Sequence, residues 1–126
     1  MTMLVGHIGK LVKLGIGMTN THSSYGDGRM ETLAVCALKA GADLPLLRGI
    51  MDCVATDAAL ALIDEAGLLR ASMDELGGRI GDTLRRRAPE GAEIGFVCFT
   101  NGEGIAGVLA ESDNAQELMN IWREQT

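Results

Sequence analysis

A chain of 126 residues with 47% hydrophobic content is large enough for one domain with its own core, and aromatics at 3% make that core aliphatic. The net charge of −6 excludes a general nucleic-acid binder, whose surface must be basic. No apolar run approaches the ~18 residues of a membrane span, and no charged leader with a cleavage site is present, so no membrane partner and a cytoplasmic location are expected.

In chain order, MLVGHI (3–8) reads as a short buried strand ended by Gly9. In GKLVKLGIG (9–17), Leu11, Val12 and Leu14 fit one helical face with Lys10 and Lys13 on another, until Gly15 and Gly17 stop it. Met18 to Gly28 is polar and punctuated, hence a loop. Asp27 is the expected N-cap of a helix whose core stripe is Met30, Leu33, Ala34, Ala37 and Leu38, closed by Gly41. Asp43 with Pro45 just inside opens the next helix, 44–53. Thr56 or Asp57 caps a third that ends at Gly67, and Ser72 with Glu75 has the spacing of a capping box for a fourth. That helix ends in Arg85, Arg86 and Arg87, where cations oppose the negative dipole end. EIGFVCFT (93–100) is a strand, IAGVLAES (105–112) its hairpin partner, and NAQELMNIW an amphipathic closing helix with Leu118, Ile121 and Trp122 on one side. The expected architecture is an α/β or α+β domain, 1–126, with a sheet of about three strands covered by four to six helices.

Cys36, Cys53 and Cys98 are odd in number and lack Cys-x-x-Cys spacing, so neither a disulfide framework nor a thiolate metal site is expected. They read as small core hydrophobes.

Chemistry gathers between Gly6 and Glu31, which hold both histidines and two of the three lysines. Residues 1–31 sum to +1 and the remainder to −7, so an anionic ligand prefers the N-terminal segment. Gly6 and Gly9 flank His7 ahead of Lys10 at a strand-to-helix turn, where glycine admits a ligand close to the backbone. The spacing is neither the dinucleotide signature nor the Walker loop; a tight turn with a solvated lysine has the same pattern. His22 stands between hydroxyl residues, with Thr21 before it and Ser23 after it, which suits orientation for proton transfer and equally suits a structural loop histidine. Arg29 on the first helical turn can clamp a carboxylate or pair with Asp27 or Glu31. Two histidines and a lone acid at this spacing do not make a protein-bound metal site.

GHIGKLVKL (6–14), NTHS (20–23) and DGRME (27–31), with ATDAAL (55–60) and GFVCFTN (95–101), together resemble the C-terminal part of the CbiD family, the cobalt-precorrin-5B C1-methyltransferases. The resemblance implies S-adenosylmethionine-dependent methylation of ring carbon C-1 of a cobalt-corrinoid intermediate in anaerobic cobalamin synthesis. It also implies an N-terminal domain, with a Gly-Tyr-Thr-Thr-Gly-type motif, that this chain lacks, so the chain corresponds to roughly the family's last third. On this reading Lys10, Lys13, Thr21, Ser23 and Arg29 bind the corrinoid and His22 or His7 assists proton movement. Gly6, Gly9, Asp27 and Glu31 are then assigned to the methyl donor, Asp27 or Glu31 through its ribose hydroxyls. A non-catalytic corrinoid-binding or assembly module is the alternative. Apolar surface left by a removed domain predicts at least a homodimer of the isolated chain.

Overall fold

The computed structural model describes residues 2–16, 28–102 and 104–124. Thr21, His22, Ser23 and Asp27 lie outside the described residues. Strand β1 (Thr2–His7) leads into one helical turn, α1 (Ile8–Leu11), which tightens into a 3-10 turn (Val12–Ile16). Four helices follow: α2 (Arg29–Lys39), α3 (Leu44–Asp52), α4 (Thr56–Glu65) and α5 (Leu69–Arg87). The hairpin β2 (Ile94–Asn101) and β3 (Ala106–Glu111) and the helix α6 (Ala115–Glu124) complete the order. Six α-helices and a three-stranded sheet among the described residues match the expected α/β class. No described helix is long and apolar enough to cross a membrane.

The sheet is mixed, in the order β1-β2-β3, with β1 parallel and β3 antiparallel to β2. Its two faces follow from strand alternation. Phe96 and Cys98 are buried toward the helices, and a Cβ on Gly77 of α5 would stand 3.9 Å from the Phe96 ring. On the opposite face Gly95 lies under α6, where a Cβ would come within 2.7 Å of Leu118 Cδ1. The inner face and α5, α2 and the 3-10 turn enclose one aliphatic core that includes Ile8, Leu33, Leu76 and Ile80. Gly15 permits the closest approach in it: a Cβ there would lie 2.7 Å from Thr32 Cγ2.

Several local expectations hold. Asp43 caps α3, its carboxylate accepting from the Leu46 N–H at 3.0 Å, with Pro45 inside the first turn. The arginine triplet ends α5, and Gly41 and Gly67, at φ 107° and 75°, follow α2 and α4. Others are corrected. The N-cap of α2 is Gly28 in the left-handed region at φ 72°, not Asp27. Its buried stripe takes in Thr32 and Cys36 while Leu38 is exposed, because both α3 and α5 pack on it and widen the covered face. Neither Thr56 nor Asp57 caps α4; Ala55 holds that position with no side-chain bond. Ser72 and Glu75 form no capping box: Leu68 and Leu69 pack against the core and start α5 earlier, leaving Ser72 buried inside the helix. Lys13 is not on a solvated face but only 3% exposed, since the change from α to 3-10 pitch after Leu11 alters the phase.

Candidate functional site

His7 ends β1 in extended conformation (ψ 145°) and its Nδ1 accepts the Gly9 N–H at 2.9 Å, capping α1. A ring nitrogen that accepts carries no proton, so neutral His7 holds its hydrogen on Nε2 and serves as a donor. The imidazole stands edge-on to Phe99 of β2, with ring centroids 5.9 Å apart at 90°.

At the carboxyl end of the parallel pair β1–β2 lies a hollow of about 390 Å³. His7, Gly9, Lys10 and Lys13 line it from the β1–α1 corner and the 3-10 turn, and Arg29 from the first turn of α2. Ala55, Thr56 and Asp57 close it from the start of α4. In open α/β sheets ligands bind outside the carboxyl ends of strands. Here the N-terminal ends of α2 and α4 face that space, and neither N-cap residue, Gly28 or Ala55, makes a side-chain cap bond among the described residues, so first-turn amides and positive dipole ends add to three cationic side chains. Among the described residues the one carboxylate lining it is Asp57, whose Oδ1 accepts from Thr100 Oγ1 at 3.4 Å and so ties α4 to β2.

Of the residues singled out in the sequence, His7, Gly9, Lys10, Lys13 and Arg29 thus share one hollow. Gly6 does not line it; the Cβ direction there points at Leu11, 3.1 Å from its Cγ. Glu31, on the first turn of α2, is exposed and outside the hollow as well. Ala55, Thr56 and Asp57 were not among the candidates, because only the tertiary fold carries the start of α4 to β1; the one signal was ATDAAL (55–60) among the stretches resembling the family. A larger hollow of about 690 Å³ between α5 and β3 holds none of the candidates, and its rim mixes Arg70 and Arg85 with Asp74, Glu111 and Asp113. The smaller hollow, whose described lining carries three cations and one carboxylate, is therefore the better anion site. No three His, Cys, Asp or Glu among the described residues are grouped as a metal would require.

The family model described as "CbiD, C-terminal domain" matches residues 20–125. This chain belongs to the CbiD family. The CbiD chain is 34% identical over 123 residues to a protein of Alkaliphilus metalliredigens, covering 98% of this chain and 32% of the relative. To one of Photorhabdus laumondii it is 49% identical over 120 residues (93% and 32%), and to one of Listeria monocytogenes 33% over 124 residues (96% and 32%). All three are named "Cobalt-precorrin-5B C(1)-methyltransferase". The chain spans about a third of the length of these curated relatives. No solved structure matches it.

Proposed function

We propose that this chain supplies the substrate-gripping part of a cobalt-precorrin-5B C1-methyltransferase of cobalamin biosynthesis, and that the hollow at the end of β1 holds the carboxylates of the corrinoid ring. The observation that carries this reading is the convergence of Lys10, Lys13 and Arg29, from three separate elements, on one space. A corrinoid intermediate bears several acetate and propionate arms around an apolar rim. Arg29 offers a planar fork for a carboxylate, Lys10 an exposed point charge, and the first-turn amides of α2 and α4 further donors. Val54, the residue before Ala55, is 85% exposed and offers apolar surface next to a lining residue for the ring edge.

Methyl transfer from a sulfonium is an in-line displacement, in which the protein chiefly positions the partners and excludes water. The hollow suits the corrinoid better than the methyl donor: S-adenosylmethionine carries a sulfonium and an ammonium against one carboxylate, whereas Lys10, Lys13 and Arg29 match a ligand with several carboxylates. We therefore assign the donor site to the longer chain of the family. Within this chain His7 donates from Nε2 toward a ring substituent. A role for His7 as proton acceptor needs the bond to Gly9 to break first.

Calorimetric titration tests the reading. A free-acid corrinoid such as cobyrinic acid is expected to bind the isolated chain, its fully amidated counterpart weakly, and S-adenosylhomocysteine not at all. Arg29→Ala and Lys10→Ala are each expected to weaken the free acid by roughly 10-fold, the value of one charge-assisted hydrogen bond. Equal binding of acid and amide, or no change in either variant, overturns the assignment.

A further inference from the structure

We propose that the outer face of the sheet, where Val5 and Val108 are exposed and Val97 and Phe99 half-buried, is the seat of the segment that precedes this region in longer CbiD chains. The register places these residues together: Val5 pairs with Val97, and Phe99 lies between His7 and Val108. Alternation puts them on the face opposite Phe96 and Cys98, the face on which Gly95 meets Leu118. Among the described side chains of α6, Leu118 meets the sheet at that Gly95 end. Val5 remains 55% exposed and Val108 58%, with Val97 and Phe99 half-buried between them.

Two independent observations identify the occupant. The strands are apolar on both faces, TMLVGH in β1 and IGFVCFTN in β2. That is the composition of a parallel pair covered from both sides, whereas a sheet with one wet face alternates with polar residues. The relatives supply the cover: this chain accounts for 32% of their length, and the matching family model describes a C-terminal domain, so most of the remaining two thirds precedes β1. β1 is also an edge strand, with no strand on its far side among the described residues. The face adjoins the hollow, since Phe99 touches the His7 ring. A segment seated there stands at the mouth of the cationic hollow, on the side where a donor site is needed. The proposal rests on family membership and not on the carboxylate reading, so each can fail alone.

The test is residue-level carbene footprinting, read by mass spectrometry, of the isolated chain and of a fusion in which the preceding part of the Photorhabdus laumondii relative is joined to it. Labelling of Val5, Phe99 and Val108 is expected to fall roughly five-fold or more in the fusion, as in the desolvated centre of an interface. Leu44 and Met51, exposed on α3, are expected to label equally in both. Val108→Glu should leave the melting of the isolated chain unchanged, split the single transition of the fusion into two, and restore labelling of Val5. Unchanged labelling in a folded fusion, or protection that disappears on dilution and so marks a second copy, overturns the proposal. Should the fusion not fold, the same footprint on the intact relative, at the strands equivalent to β1 and β3, decides between these outcomes.

Discussion

The two faces of β2 are built from the same kinds of side chain and meet different surroundings. Phe96 and Cys98 disappear against α5 and the rest of the core, whereas Val97 and Phe99, one residue along in each case, are only half covered. A strand facing water on one side normally carries polar residues there; this one does not. On the proposal above, the composition of the strand reflects burial in the longer chains of the family, while the exposure of Val5 and Val108 reflects this chain by itself. The sharpest way to break the comparison is truncation on each face. Phe96→Ala is expected to cost about 3–5 kcal/mol, as for a buried aromatic. Val5→Ala on the outer face should stay within about 0.5 kcal/mol in the isolated chain. Urea unfolding of both variants checks this, and a Val5→Ala cost comparable to that of Phe96→Ala would mean that the outer face is already covered.

The inner layer also has a pH signature of its own. Burial pushes the Cys98 thiol up to about 12. Cys36 rises to about 11, mainly by burial, with the Arg79 guanidinium pulling it down and Glu75 pushing it up. Both folded values lie above the ordinary value of 9.0, so the unfolded chain loses these protons first. The thiols' contribution is therefore complete below pH 9 and is lost as pH climbs from there toward 11 and 12. At pH 10 the two together are worth about 2–3 kcal/mol of lost stability. Urea midpoints between pH 8 and 10.5 should fall more steeply for the natural chain than for Cys36→Ala/Cys98→Ala, and parallel slopes would contradict the assignment.

Packing tightness distinguishes glycines in the same manner. At Gly15 a Cβ meets Thr32 Cγ2 at 2.7 Å and Leu76 Cδ1 at 3.0 Å, so Gly15→Ala should destabilise by about 1–3 kcal/mol. At Gly78, in the interior of α5, a Cβ meets nothing within 4 Å, and Gly78→Ala should stabilise by about 1 kcal/mol through helix propensity. Opposite signs in thermal melts are the expected outcome. A destabilised Gly78→Ala would show that something occupies the groove beside α5.

These cases also show what the sequence can and cannot convey. Asp43 and Pro45 were legible as a helix start because a cap is a contact between neighbours in the chain, and the strand 94–101 because its β-branched and aromatic run ends in a turn. Ser72 misled because its capping spacing is equally local, but the burial of Leu68 and Leu69 against distant helices decides where α5 begins. Lys13 misled for a related reason: the face of a helix is predictable only while its pitch is constant. Of the hollow, the part formed by His7, Gly9, Lys10, Lys13 and Arg29 stood out because these residues lie close together in the sequence and bring three cations. The part formed by Ala55 to Asp57 depended on how α4 packs, and no spacing near residue 55 points to residue 7.

The smallest expected effects set the helix starts apart. Helix α3, whose first residues do not line the hollow, has its N-terminus closed by Asp43; α2 and α4, which do line it, have Gly28 and Ala55 at the N-cap, and among the described residues no side chain closes them. Asp43→Ala should cost about 1 kcal/mol, the ordinary value of a lost cap. Ala55 already has the extended backbone that a capping residue needs, with φ −115° and ψ 147°, so Ala55→Asp should stabilise the chain by a similar amount. That same carboxylate would satisfy the open amides of α4 and stand among Lys10, Lys13 and Arg29. If the hollow receives anions, Ala55→Asp gains stability and loses affinity for the free-acid corrinoid, as expected where a helix start is left open for a ligand. A variant that is more stable and binds equally well would show that the ligand's carboxylates do not reach α4, and would confine the grip to the β1–α1 corner and Arg29.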